Sequence, residues 1–321
     1  LRQQVTSVAE LSATINGNLP QQVRSLALLA LGQIYLGQDQ ADQARPLLQR
    51  ARDNLEADEA AVDDKTWALV NFYLGLAEQR AEPPDWDAAI RAYDQAVTHW
   101  PEMLSSRLNR IAAYEKRNRP GDLELALADA EAVIAAHPTW APAYNNRASI
   151  RVTLGGSDNL ALALTDLEQA LTLDPALPEA YLNRAYARFG QGLSIETVRP
   201  DVEEALTLRP GYASAYNLLC WGYALEQAGE TALPFCEQVV AAAPEEALFR
   251  DSRGLALALR GDIPAALADF EVYVAWLETE QPGFDWQRDL ARRRAWIEAL
   301  AAGQNPFTPE LLQTLRSEFG E

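Results

Sequence analysis

The residue types that most often carry catalysis and metal binding are scarce in this 321-residue chain, which has two histidines, His99 and His137, and two cysteines, Cys220 and Cys236. Both histidines fall in a turn just before a proline, Pro101 or Pro138. Such positions read as surface and are a poor start for a metal site or a Ser-His-Asp arrangement. No Walker motif, G-x-G-x-x-G or G-x-S-x-G occurs, so no nucleotide cradle or nucleophile elbow is expected. The run from Asp53 to Asp64 holds six carboxylates but lacks the spacing and central glycine of a calcium loop. It reads as a solvated spacer. The expectation is a non-catalytic chain with no cofactor and no metal.

Lysine is almost absent: Lys65 and Lys116 are two of 27 basic residues against 46 acidic ones, for a net charge of −19. A field of that sign repels phosphate backbones, which argues against nucleic-acid partners. No apolar run approaches the roughly 20 residues of a membrane helix, so direct membrane insertion is not expected. No signal peptide is visible, but the chain opens on Leu1 rather than Met. An upstream anchor, signal or domain is therefore conceivable; a cytoplasmic placement is preferred to an exported or membrane-tethered one.

Glycine is sparse at 17 residues and lies mostly between helical stretches, and no β-branched alternation is long enough to suggest strands. What is present is a period. Five segments end alike, Ala96–Pro101, Val133–Pro138, Ala170–Pro175, Ala205–Pro210 and Val239–Pro244, with prolines 37, 37, 35 and 34 residues apart. Proline cannot continue a helix, so each one closes a unit and starts a turn. Within the units, small and aromatic residues recur: Leu31-Gly32, Tyr35 and Ala44; Leu74-Gly75, Ala89 and Tyr93; Tyr144, Ala148 and Ala163; Tyr181, Ala185 and Ala205; Tyr216, Tyr223 and Ala232; Gly254, Ala266 and Phe270. Two antiparallel helices approach closely only where Gly or Ala sits at their crossing.

The period and the W-x2-L-G-x2-Y…A-x3-F-like pattern resemble the tetratricopeptide-repeat family over about three quarters of the chain. The resemblance implies an all-α, right-handed superhelical solenoid of about seven repeats, at about 25–58, 68–103, 104–140, 141–177, 178–212, 213–246 and 247–280. A capping helix is expected in 1–24, where Val5, Val8, Leu11 and Ile15 precede Gly17, and capping helices in 281–321. Of these last, one runs from about 285 to 301 after Pro282-Gly283 and keeps Arg288 and Arg292–Arg294 polar. The other starts at Thr308-Pro309 with Leu311, Leu312, Leu315 and Phe319 on its apolar face. Sealing the end of the solenoid is the plainer role for this tail; folding back into the groove as an internal ligand is the alternative.

The family geometry would bring Cys220 and Cys236 together inside the sixth repeat, either as two buried thiols or as a disulfide, and thiols are the favoured state. Three units carry an Arg facing the partner helix with an Asp opposite, which predicts structural ion pairs Arg110–Asp129, Arg147–Asp166 and Arg253–Asp269. Before Arg110, Arg147 and Arg184 stand Asn109, Asn146 and Asn183, at intervals of 37. In related proteins such asparagines form a ladder along the groove, since an amide can both donate to and accept from an extended peptide backbone; bonding to a neighbouring helix is the competing role. Adjacent inner positions hold Asn145 and Ser149, then Leu182, Tyr186 and Phe189, then Asn217 and Trp221, a polar strip running into an aromatic one. The positions of the chaperone-tail carboxylate clamp hold Leu29, Glu179 and Leu218, so that clamp is not assembled. The implied function is a protein- or peptide-binding scaffold, or else a regulatory or sensory segment of a larger protein.

Overall fold

The computed structural model describes residue 15 and residues 20–57, 63–281 and 286–318. Val5, Val8, Leu11, Gly17, the Pro282-Gly283 break, Phe319 and the middle of the acidic run lie outside them; Ile15 is buried. Sixteen helices, and no strand, are found among the described residues. The chain divides into two compact units, 1–136 and 137–321.

Among the described residues the first unit has three helical hairpins: α1 (Gln21–Gly37) with α2 (Ala41–Glu56), α3 (Asp64–Arg80) with α4 (Trp86–His99), and α5 (Leu104–Arg117) with α6 (Asp122–Ala136). Local chemistry sets the starts. Asp63 accepts from the Thr66 N–H at 3.0 Å and Asp85 from the Ala88 N–H at 2.8 Å, each satisfying an orphan donor of the first turn. The core of the first two hairpins holds Leu28, Leu31, Leu48, Leu55, Val70 and Leu74.

The second unit continues with four hairpins: α7 (Ala141–Leu154) with α8 (Ser157–Leu173), α9 (Pro178–Gly190) with α10 (Ile195–Leu208), α11 (Ala213–Leu225) with α12 (Gly229–Ala242), and α13 (Ala247–Arg260) with α14 (Ile263–Glu280). Two more helices follow, α15 (Trp286–Ala301) and α16 (Pro309–Glu318). In the closed hairpins α4, α6, α8, α10 and α12, the helix ends two residues before its proline.

The hairpins close by a small-against-large rule. A Cβ on Gly75 would stand 2.6 Å from the Tyr93 ring, one on Gly254 2.9 Å from Phe270, and one on Gly32 2.7 Å from Leu48. The glycines are therefore required by contact, not by backbone conformation. In the sixth hairpin the same pair of positions is Cys220 and Cys236, whose Cα atoms are 4.9 Å apart and whose sulfurs are bonded. This corrects the expectation of free thiols. At a crossing this tight, two small side chains leave their sulfurs within bonding reach, since disulfides take Cα separations of about 4.4–6.8 Å.

Candidate functional site

The first helices of the hairpins carry the predicted recognition residues. The predicted ion pairs lie between the two helices of a hairpin. Arg110 Nε and Nη2 clasp the Asp129 carboxylate at 2.7 and 2.6 Å, and Nη1 reaches Asp94 at 2.7 Å. Arg147 Nε bonds Asp166 at 2.9 Å, and Arg253 bonds Asp269 at 2.6 and 2.8 Å. Burial opposes the charge on Arg110, yet its bonds to Asp129 and Asp94 outweigh that and hold its pKa above the usual guanidinium value.

Sequence reasoning missed a fourth pair, Arg184–Asp201, bidentate at 3.0 and 2.5 Å. It also missed that each aspartate serves two arginines: Arg107 joins Arg110, Arg151 joins Arg147, Arg188 joins Arg184, and Arg250 joins Arg253. The signal existed, because Arg184 follows Asn183 as Arg147 follows Asn146. The Arg-to-Asp separations are 19, 19, 17 and 16, so the pairing follows each residue's place in its helix and not a fixed spacing.

The asparagines diverge. Asn183 Nδ2 donates to Asn145 Oδ1 of the preceding repeat at 2.9 Å, and Asn109 Nδ2 donates to the Ser105 carbonyl of its own helix. Both amides are thus engaged by the protein itself. Among the described residues the Asn146 side chain makes no hydrogen bond, and Asn217 Oδ1 has no partner. Asn146, Ser149, Asn217 and Trp221 are half-buried.

The aromatic end is covered. Leu182 and Phe189 are buried in the apolar core, and the half-buried Tyr186 donates its hydroxyl to the Ser214 carbonyl at 3.2 Å. Burial raises the Tyr186 pKa. What covers this end is the C-terminal segment. Phe307, Leu312 and Leu315 join the cluster that contains Phe189, Leu225, Leu257 and Ala258. The Arg316 guanidinium stands 4.4 Å over the Phe189 ring and donates to Glu226 and to the Leu193 carbonyl. Leu182 and Phe189, predicted to face a ligand, are both buried, and Phe189 lies under the C-terminal helix where it folds back over the ends of α9 and α11.

The preceding helix is anchored by a residue the pattern placed on its polar face. Arg293 is buried, makes two bonds to Asp251 at 3.0 and 2.7 Å, and lies 4.5 Å from the Trp296 ring. A single turn of three arginines hides which of them points inward, and only the buried Asp251 decides it.

Elsewhere, His99 closes α4, stacks on Trp67 and lies 3.0 Å from Asp64. Glu179, at a clamp position, pairs with Arg209, while Leu29 and Leu218 are buried. Among the described residues no group of three or more His, Cys, Asp or Glu side chains is placed to hold a metal. Nor is any helix among them long and apolar enough to cross a membrane.

No protein-family model and no curated relative matches the chain. Solved structures do. A tetratricopeptide repeat protein from Parabacteroides merdae ATCC 43184 superposes with a TM-score of 0.68 at 17% identity, over 86% of this chain and 98% of that one. PilW, a widely conserved type IV pilus biogenesis factor, superposes with a TM-score of 0.51 at 17% identity, over 70% and 98%. The chain therefore has the tetratricopeptide-repeat solenoid fold.

Proposed function

We propose that this solenoid is a non-catalytic scaffold that binds a protein or an extended peptide segment along the first helices of its second unit. One observation carries the reading: Asn146 and Asn217 present amide groups without protein partners on the first helices α7 and α11. The buried Asn217 Oδ1 is costly to leave without a partner, and a peptide backbone supplies both a donor and an acceptor for such amides. Ser149 and Trp221 flank them, one polar and one aromatic, which suits a backbone held by amides beside an anchored apolar side chain. Asn109, Asn145 and Asn183 do not share that role, since their amides are already bonded.

The experiment is a selection of random displayed peptides against the immobilised chain, repeated with Asn146→Ala and Asn217→Ala. The reading expects selected peptides to lose at least about tenfold in affinity on either change, with melting unaltered. Peptides that bind both variants as tightly as the parent would overturn it.

A further inference from the structure

We infer that α16 is a stand-in ligand: it occupies a second docking surface, over the ends of α9 and α11, that in the working protein accepts an amphipathic helix from another protein. The inference rests on the scaffold reading above and gives it a partner chemistry.

Three features of the contact support it. The helix offers two leucines three residues apart, Leu312 and Leu315, which one helical face presents together. They share one apolar cluster with Phe189 of α9 and Leu225 of α11, and the Phe189 ring lies under Arg316 of the same helix. The third feature is a charge lock. Arg316 meets the Glu226 carboxylate and the carbonyls of Gly192 and Leu193, all at the turn-side ends of α9 and α11. That is helix-in-groove recognition, read by apolar anchors and one cation.

The lock is also shallow. Arg316 retains about a fifth of its exposure and Glu226 about a quarter, so water and salt compete for the pair. The outer clasp, Arg292 with Glu318, is half-buried too. A tethered helix enjoys an effective concentration on the order of millimolar. An external helix must therefore outbid it, and weakening the tether's own lock raises apparent affinity for the competitor. The matching partner is an amphipathic α-helix with two large apolar residues three apart followed by a cation, attracted also by a chain of net charge −19.

The test uses the full chain and a labelled peptide of residues 304–318 as probe. Arg316→Glu sets like charge against Glu226 and should release the helix; Leu312→Asp with Leu315→Asp releases it by a different route. Either variant should bind the probe at least about tenfold more tightly than the parent. Deuterium uptake at α16 should rise while α13 and α14 remain protected. If neither variant binds the probe although both melt cooperatively with α16 released, the surface is a cap and the inference falls. If a second copy supplies the helix, the parent sediments as a dimer that Arg316→Glu dissolves, and that too overturns an external partner. Peptides selected on Asn146 and Asn217 separate the two readings. Their retention in a variant that ignores the probe leaves the scaffold standing, and their loss from the parent removes it.

Discussion

Asn183 donates its side-chain amide to the Asn145 carbonyl oxygen at 2.9 Å, joining the first helices of two successive repeats. An inter-repeat bond of this kind belongs to stacking. Asn183→Ala leaves the buried Asn145 oxygen unsatisfied and should cost about 1–3 kcal/mol. Asn146→Ala, which breaks no hydrogen bond, should stay within about 0.5 kcal/mol. Denaturant titration of both variants separates them, and equal losses would contradict the assignment.

The buried aspartates are the costliest single positions. Asp166 takes bonds from both Arg147 and Arg151. Asp166→Ala leaves guanidinium charge enclosed without its carboxylate and should cost roughly 3–5 kcal/mol. Replacing Asp158, an exposed carboxylate in the first turn of α8, should cost less than about 1 kcal/mol. A comparable fall in melting temperature from the two changes would count against a structural role for the Arg–Asp pairs.

The tie between the second and third hairpins sets a pH response. The hydrogen bond from Arg117 holds the Asp87 carboxyl below its usual value of 3.8. Burial would raise Asp122, but Arg117 outweighs it and the net shift is also downward from 3.8. Groups depressed in the folded state contribute stability that is complete above the unfolded value and is lost as pH falls through the folded one. The stability gap between the parent and Arg117→Gln should therefore be widest near neutrality and shrink below about pH 4. A gap unchanged between pH 7 and pH 3 would show that the carboxylates do not respond to Arg117.

The cysteines give a direct chemical readout. With Cys220 and Cys236 bonded, the unfolded, unreduced protein should resist alkylation, and its mass should rise on alkylation only after reduction. Alkylation without reductant would return the pair to the thiol state favoured from sequence.

Most of the fold was legible because it repeats. Gly254 and Phe270 could be matched from their offset within one unit, and a period of prolines fixed the ends of the second helices. The Arg110–Asp129, Arg147–Asp166 and Arg253–Asp269 pairs were readable because each Arg and Asp holds the same place in its repeat, and Arg184–Asp201 obeys the same rule although it was not read. Contacts between repeats carry no such period. Nothing in the sequence around Arg316 points to Glu226, 90 residues away, or around Arg293 to Asp251, 42 residues away. Those two arginines fix the tail, and the tail decides which of the inner residues a ligand meets. The face was thus readable, and its occupancy was not.

The most direct measurement of the central claim is deuterium exchange of the full chain with and without a selected peptide. Binding along the first helices predicts new protection in α7 and α11, around Asn146 and Asn217, with α8, α10 and α12 unchanged. Protection confined to the second helices α8, α10 and α12 would contradict it.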